Sequence, residues 1–123
     1  MRLLTPQSHL QDAASGSILQ LNNDAELQGL ALDGVTRIEL QFPKFSDGRA
    51  FSQAVTLRRR LGFKADIRAT GDVLVDQLVQ MQRSGFDSAV LRDDQDFSVA
   101  ERQLSRFAAF YQGDERESAP HFR

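Results

Sequence analysis

Two segments of the chain alternate apolar and polar residues, which predicts strands with one apolar face. In RIELQF, residues 37–42, every second residue is apolar, and the same holds for DIRAT, residues 66–70. Two further short apolar segments, residues 17–21 and residues 86–91, are bounded by turn-forming residues and predict strands as well. The pattern therefore predicts four strands.

A helical pattern follows each predicted strand. The predicted helices cover residues 24–32, 48–61, 70–84 and 98–112. In the second of these, Ala50, Ala54, Leu57 and Leu61 recur at helical spacing on one stripe, and Asp47 is the predicted N-cap. The last helix can be capped by a Ser98 capping box or by Asp96. Residues 1–16 and 113–123 are predicted to be a flexible N-terminal arm and a flexible C-terminal tail, so that residues 17–112 form a single α/β domain.

Four consecutive βα units imply parallel strands joined by right-handed crossovers. The two alternating strands place polar residues, among them Glu39 and Arg68, on the face away from the helices. Central strands of a doubly wound sheet are instead apolar on both faces. We therefore predict a curled parallel sheet resembling half a TIM barrel, with a flavodoxin-like open sheet as the alternative. Such a half barrel has unpaired edges, and a homodimer that covers them is expected.

Composition and charge exclude several classes of function. The formal net charge of −2 lacks the basic excess typical of nucleic-acid binding, and the apolar runs are too short to span a membrane. The opening residues also lack the apolar core of a signal peptide, which predicts a cytoplasmic protein. The chain has no cysteine to ligate an iron–sulfur cluster, and His9 and His121 lie in the two predicted flexible ends. We predict no metal site and no cofactor.

Candidate binding residues gather at one edge of the predicted sheet. In parallel α/β folds ligands bind at the carboxyl ends of the strands, and the turns FPKFSDGR, ATGD and LRDDQD all fall there. We expect the first two turns to lie side by side, with cationic side chains and free backbone amides that favour a small oxyanion. The candidate anion-binding or partner-binding residues are Lys44, Asp47, Gly48, Arg49, Arg68, Thr70, Gly71 and Asp72.

A structural interpretation of the same residues is weighed beside the functional one. Ser46 to Gly48 and Thr70 to Asp72 match ordinary cap-and-turn chemistry. A structural Arg68 would pair with Glu39 or Gln41 on the neighbouring strand. The Arg58 to Arg60 run is interpreted as a solvated helix end, and Asp87 as structural.

The strings FPKFSDGRAFSQA, LRRRLGF, IRATGDVLVDQL, MQRSGFDSAVL and FAAFYQ resemble the bacterial family catalogued as domain of unknown function 934. The resemblance covers about residues 30–112. The first thirty or so residues depart from the family pattern and lack the tryptophan-bearing opening of its relatives. The matched motif residues are Pro43, Asp47, Gly48, Arg49, Ser52, Arg68, Gly71, Asp72, Asp76 and Gln77. No catalytic role is attached to them in the family.

The resemblance implies a role in assimilatory sulfate and sulfite reduction, because members of this family are found beside sulfite reductase and phosphoadenylylsulfate reductase. Sulfite reduction needs siroheme and an iron–sulfur cluster, or an external reductant, and this chain has no cysteine. We therefore expect an accessory protein that binds the sulfite reductase, another sulfate-assimilation protein, or a small oxyanion. The alternative is an enzyme in its own right, an oxidoreductase that acts on a small anion with a bound flavin or nicotinamide.

Overall fold

The computed structural model describes residues 1–12, 16–44 and 48–110, with the side chains of residues 107–110 left aside. Its strands are β1 (Arg2–Leu4), β2 (Ser17–Leu21), β3 (Val35–Phe42), β4 (Asp66–Gly71) and β5 (Ser88–Val90). Its helices are α1 (Pro6–Gln11), α2 (Arg49–Arg59), α3 (Leu78–Ser84), which a 3-10 turn at Val75–Gln77 precedes, and α4 (Phe97–Phe110).

The five strands form one open, all-parallel sheet in the order β1-β5-β4-β3-β2. From β2 to β5 the spatial order follows the chain, as it does in part of a TIM barrel. A flavodoxin-like sheet reverses its order at a switch point, and these four strands do not. The predicted parallel α/β fold is confirmed, and β1 adds a fifth strand beside β5.

The apolar face of the sheet packs against α2, α3 and α4. Its strands contribute fully buried side chains such as Ile38, Leu40 and Ile67, and the helices contribute Ala54, Leu57, Leu78, Met81 and Ala100. Phe42, Phe51 and Phe86 meet at ring-centroid distances of 5.0, 5.8 and 6.4 Å. Leu61, predicted on the same stripe, is exposed because α2 ends at Arg59.

Two predicted helix-end signals are confirmed, and one helix starts later than predicted. Gly85 ends α3 in the left-handed region at φ 111°, as a C-terminal glycine should. Asp96 caps α4, since its carboxylate accepts the Val99 N–H at 3.2 Å. The helix predicted from residue 70 begins instead with the turn at Val75, because Leu74 is extended at ψ 153°. The predicted cap Asp47 lies outside the described residues.

Residues 24–32 do not form the predicted helix and run as irregular chain with turns. The apolar residues Leu27 and Leu30 have helical spacing, but Gly29 between them adopts φ 81°. A left-handed residue ends a right-handed helix, so the turn conformation overrides the short periodic pattern.

The N-terminal residues are part of the sheet, where the sequence pattern predicts a flexible arm. Arg2–Leu4 pairs in parallel with Ser88–Val90. Thr5 caps α1 by accepting the Ser8 N–H at 3.1 Å, and Pro6 takes the first helical position. The predicted C-terminal tail, residues 113–123, lies outside the described residues.

The side chain of Arg58 is buried, with 3% of its surface exposed, which corrects its interpretation as part of a solvated helix end. Its guanidinium donates to the carbonyl oxygens of Phe63, Ala65 and Gly85 at 2.9, 2.7 and 3.0 Å. It also donates to the Asp87 carboxylate at 2.6 Å. Arg58 therefore ties the end of α2 to the starts of β4 and β5, and Asp87 has the structural role expected of it.

Candidate functional site

The turns after β3 and β4 lie side by side at the carboxyl edge of the sheet, which we call the rim. Phe42 is in register with Gly71, and the Phe42 carbonyl accepts the Asp72 N–H at 2.7 Å. Gly71 adopts φ 91°, and a Cβ there would overlap the Phe42 carbonyl oxygen. Only glycine allows the two turns to approach this closely. The expected adjacency of the two turns is confirmed.

The backbone amides that follow Thr70 are already bonded within the chain. Asp72 N–H donates to Phe42, and Val73 N–H donates to the Gly71 carbonyl at 2.9 Å. The next two amides, of Leu74 and Val75, donate to the side-chain oxygens of Gln77 and Gln95 at 3.2 and 3.1 Å. The free amides expected at this turn are therefore absent from Asp72 to Val75.

The rim carries a compact ion-pair cluster around Arg92. Its guanidinium donates to both carboxylate oxygens of Asp94, at 2.6 and 2.8 Å, and to Asp72 at 2.7 Å. The hydrogen bonds with Asp94 and Asp72 raise the pKa of Arg92, and the bond from Arg92 lowers the pKa of the Asp94 carboxyl. Lys44, Gly48 and Arg49 are exposed at the same edge. Asp47 lies outside the described residues.

The predicted site residues lie in two places: at the rim, and on the polar face of the sheet, which is the face away from α2, α3 and α4. Lys44, Gly48, Arg49, Thr70, Gly71 and Asp72 lie at or next to the rim. Arg68 does not join them: its side chain is only 1% exposed and lies on the polar face of β4. The prediction thus combined two separate places in the fold.

Arg68 is the centre of a polar cluster, but its partners are not Glu39 or Gln41 as predicted. Its Nε donates to Ser88 Oγ at 2.9 Å, and its Nη2 donates to Asp12 Oδ2 at 2.7 Å. Glu39 is in register with Arg68 but accepts instead from Arg37 Nε at 3.0 Å. The cross-strand pair is not made because α1 and the residue after it bring in a competing carboxylate.

The Asp12 carboxylate receives three guanidinium groups. Besides Arg68, Arg37 donates to its Oδ2 at 3.2 Å, and Arg2 donates to its Oδ1 at 3.1 Å. The hydrogen bonds from Arg68 and Arg2 lower the pKa of Asp12 to about 2, so this carboxylate is ionised at any ordinary pH. On the other side of Arg68, Asp66 accepts from Ser88 Oγ at 2.9 Å and from Arg68 at 3.4 Å.

His9 closes the cluster from α1. Its Nδ1 lies 3.0 Å from Arg68 Nη1, and because a guanidinium can only donate, Nδ1 must accept. The imidazole proton is then on Nε2, 3.8 Å from a Glu39 carboxylate oxygen. Burial lowers the pKa of His9 more than Glu39 raises it, and the nearby Arg68 and Arg37 lower it further. His9 is therefore a neutral hydrogen-bond acceptor.

His9 and Asp12 were missed as site residues because they lie in the segment predicted to be a flexible arm. A local signal for order does exist, since Thr5 followed by Pro6 and then Ser8 matches a helix start. No motif in the sequence indicates that Asp12 reaches arginines on β3 and β4. Within the described part of the chain, no group of three or more histidine, aspartate or glutamate side chains is arranged to hold a metal ion.

Residues 18–122 match the family model described as "Bacterial protein of unknown function (DUF934)". The chain belongs to this DUF934 family. In this family member the matched region contains the rim and the polar residues of β3, β4 and β5, whereas His9 and Asp12 precede it. Comparison with curated proteins and with solved structures finds no match. None of the helices in the described residues has the length and hydropathy needed to cross a membrane.

Proposed function

We propose that this DUF934 member is a cytoplasmic accessory protein of assimilatory sulfite reduction that binds the sulfite reductase, or another sulfate-assimilation protein, through the rim. The observation that carries this proposal is the state of the rim: the amides from Asp72 to Val75 are bonded internally, while Lys44 and Arg49 are exposed.

Such a rim is suited to another protein surface more than to a single small anion. Backbone amides at a helix start are the usual donors for a bound oxyanion, and here glutamine side chains already use them. The exposed charges at this edge are mixed, since Asp93 and Asp94, which follow β5, are exposed as well. Complementary mixed charge gives orientation and partner selection at protein interfaces.

The proposed pathway is inferred from the sequence resemblance. The proposed roles of this chain and of its partner are inferred from composition. The strings DGRAFSQA and RATGDVLVDQL carry the resemblance to proteins found beside sulfite reductase. The chain has no cysteine, so an iron–sulfur cluster in such a complex is ligated by the partner. This member then contributes binding and orientation, and the reductase contributes electron transfer.

The test is direct binding of the purified chain to the sulfite reductase from the same organism, measured by biolayer interferometry at low and at physiological salt. Lys44→Glu reverses an exposed charge at the rim and should weaken the complex by about fivefold, because one exposed charge at a protein interface contributes about 1 kcal/mol. Lys64→Glu is the matched control, since this exposed lysine lies before β4 at the opposite end of the sheet.

Equal weakening by both variants would locate the interface away from the rim. No binding of the native chain at either salt concentration would overturn the proposal. A flavin absorption band in the purified protein would favour an oxidoreductase in its own right, and a nicotinamide-dependent change in intrinsic fluorescence would do the same.

A further inference from the structure

The polar face of the sheet contains an arrangement that the rim-binding proposal does not use. Two guanidinium groups, those of Arg37 and Arg68, lie on this face, and we call this pair of groups the floor. Both donate to the same oxygen of Asp12. Both arginines are buried, with 6% and 1% of their surface exposed. Convergence of buried guanidiniums on one oxygen is the geometry by which proteins hold oxyanions.

The floor is held rigid without Asp12. Arg37 Nε is fixed by Glu39 at 3.0 Å, and Arg68 Nε is fixed by Ser88 at 2.9 Å, whose hydroxyl is in turn held by Asp66. These bonds use the Nε groups and leave Nη groups directed at the carboxylate. Donors held in place before binding lose little conformational freedom when an anion arrives.

The charges of the cluster balance only when the Asp12 carboxylate is counted. Arg2, Arg37 and Arg68 face Asp12, Glu39 and Asp66, with His9 neutral. Without Asp12 the cluster carries one excess positive charge. Because Arg2 is mostly exposed, this excess charge lies near the surface, where it attracts an anion from solution.

The helix that precedes Asp12 is attached to the sheet through polar contacts and not through apolar packing. None of the six residues of α1 is buried, and its Leu10 is 84% exposed. Displacing α1 therefore exposes little apolar surface, whereas the same change at α2 would open the core. The two arginines of the floor lie on strands of the sheet, whereas Asp12, which covers them, follows the peripheral helix α1.

We propose that Arg37 and Arg68 form a binding site for a small inorganic oxyanion of the sulfate, sulfite and phosphate class, and that the Asp12 carboxylate occupies this site until the anion displaces it. The site is on the polar face and is separate from the rim, so it does not depend on the proposed partner interface. Arg2, whose side chain is 61% exposed, supplies a third donor at the entrance.

The experiment measures binding of radiolabelled sulfate to the full chain by equilibrium dialysis at constant ionic strength. Asp12→Ala removes the internal competitor and should bind sulfate about tenfold more tightly than the native chain, because a charge-assisted hydrogen bond no longer has to be exchanged. Asp94→Ala is the matched control: it also removes a carboxylate from an arginine, at the rim, and should leave the affinity at the native value.

A second variant tests the donors without risk to the fold. Arg2→Gln in the Asp12→Ala chain changes a mostly exposed side chain and should reduce sulfate affinity by a few-fold, with an unchanged circular dichroism spectrum. An Asp12→Ala chain that folds but binds sulfate no better than native overturns the site. Equal gains in Asp12→Ala and Asp94→Ala also overturn it, since any released arginine would then suffice.

The native chain supplies an independent measurement that does not require Asp12→Ala to fold. His9 Nδ1 accepts from Arg68, so an anion at Arg68 should shift the imidazole resonances of His9 in a nuclear magnetic resonance titration with sulfate. Chloride at the same ionic strength should leave them in place. Identical responses to the two salts would contradict the proposal.

Discussion

Arg68 Nη2 lies 2.7 Å from Asp12 Oδ2, although 56 residues separate the two along the chain. This pair joins the residue after α1 to the fourth strand and covers the polar face of the sheet. One consequence is that polar residues on this face are buried, among them Arg37, Glu39 and Arg68. Each of the following predictions tests a contact on which this arrangement depends.

Replacement of Arg68 by methionine should destabilise the fold by about 3 kcal/mol, because it removes a buried guanidinium that pairs with both Asp12 and Asp66 and leaves each carboxylate with fewer partners. Urea unfolding followed by circular dichroism measures the loss. Arg102→Met is the matched control on the exposed side of α4, where the same change should alter the free energy of unfolding by less than about 0.5 kcal/mol. Similar losses in the two variants would show that the cluster contributes no special stability.

Gly71→Ala should destabilise the protein more than Gly62→Ala. Both glycines have positive φ, 91° and 66°, so each alanine carries a left-handed backbone cost of about 1–2 kcal/mol. Only at Gly71 does the new Cβ meet the Phe42 carbonyl, whereas at Gly62 no atom lies within 4 Å. The difference between the two free energies of unfolding therefore measures the close approach of the turns. Equal values would mean that the Phe42 carbonyl does not lie close enough to Gly71 to meet the new Cβ.

Arg58→Lys should cost about 2 kcal/mol or more in unfolding free energy. A lysine ammonium cannot reach the three carbonyls and the carboxylate that the Arg58 guanidinium bonds, and buried carbonyls then lack donors. Arg59→Lys makes the same change at the next, exposed residue and should be close to neutral. The prediction fails if the two lysine variants unfold at the same urea concentration.

The free energy of unfolding should decrease as the pH is lowered through the range where His9 takes up a proton. The folded chain lowers the pKa of His9 below its ordinary 6.5, so below about pH 6.5 the unfolded chain binds the proton more readily. The native chain should therefore lose stability as the pH falls from about 7.5 towards the folded pKa, and the loss should end below that pKa.

His9→Gln should remove this pH-dependent loss, because glutamine can still accept from Arg68 but does not titrate. The comparison is the slope of unfolding free energy against pH for the two chains, and His121 is present in both. Parallel slopes would mean that His9 is protonated as easily in the folded chain as in the unfolded one.

The sheet could be predicted because its strands carry a period-two pattern that packing preserves. Ile38 and Leu40 lie on the helical face and Arg37 and Glu39 on the other, as the alternation of RIELQF requires. The helix at 24–32 could not be excluded in the same way. Its apolar spacing was helical, and the left-handed conformation of Gly29 depends on how the chain turns back towards β3.

Only part of the polar cluster could be predicted from the sequence. The polar face of β4 follows from DIRAT, and the sequence identifies Arg68 on that face as a candidate site residue. Two of its partners, His9 and Asp12, lie in and directly after a helix of six residues, which is too short for periodicity to identify. Long-range pairing of Asp12 with Arg68 is decided by the docking of that segment, which no local pattern records.

The position of β1 beside β5 also shapes how the protein is made. Arg2–Leu4 is synthesised well before its hydrogen-bonding neighbour, Ser88–Val90. Leu4, almost fully buried in the finished fold, cannot reach its native surroundings before β5 has been synthesised. Completion of this edge therefore depends on a contact between residues far apart in the sequence, and such contacts form slowly during folding.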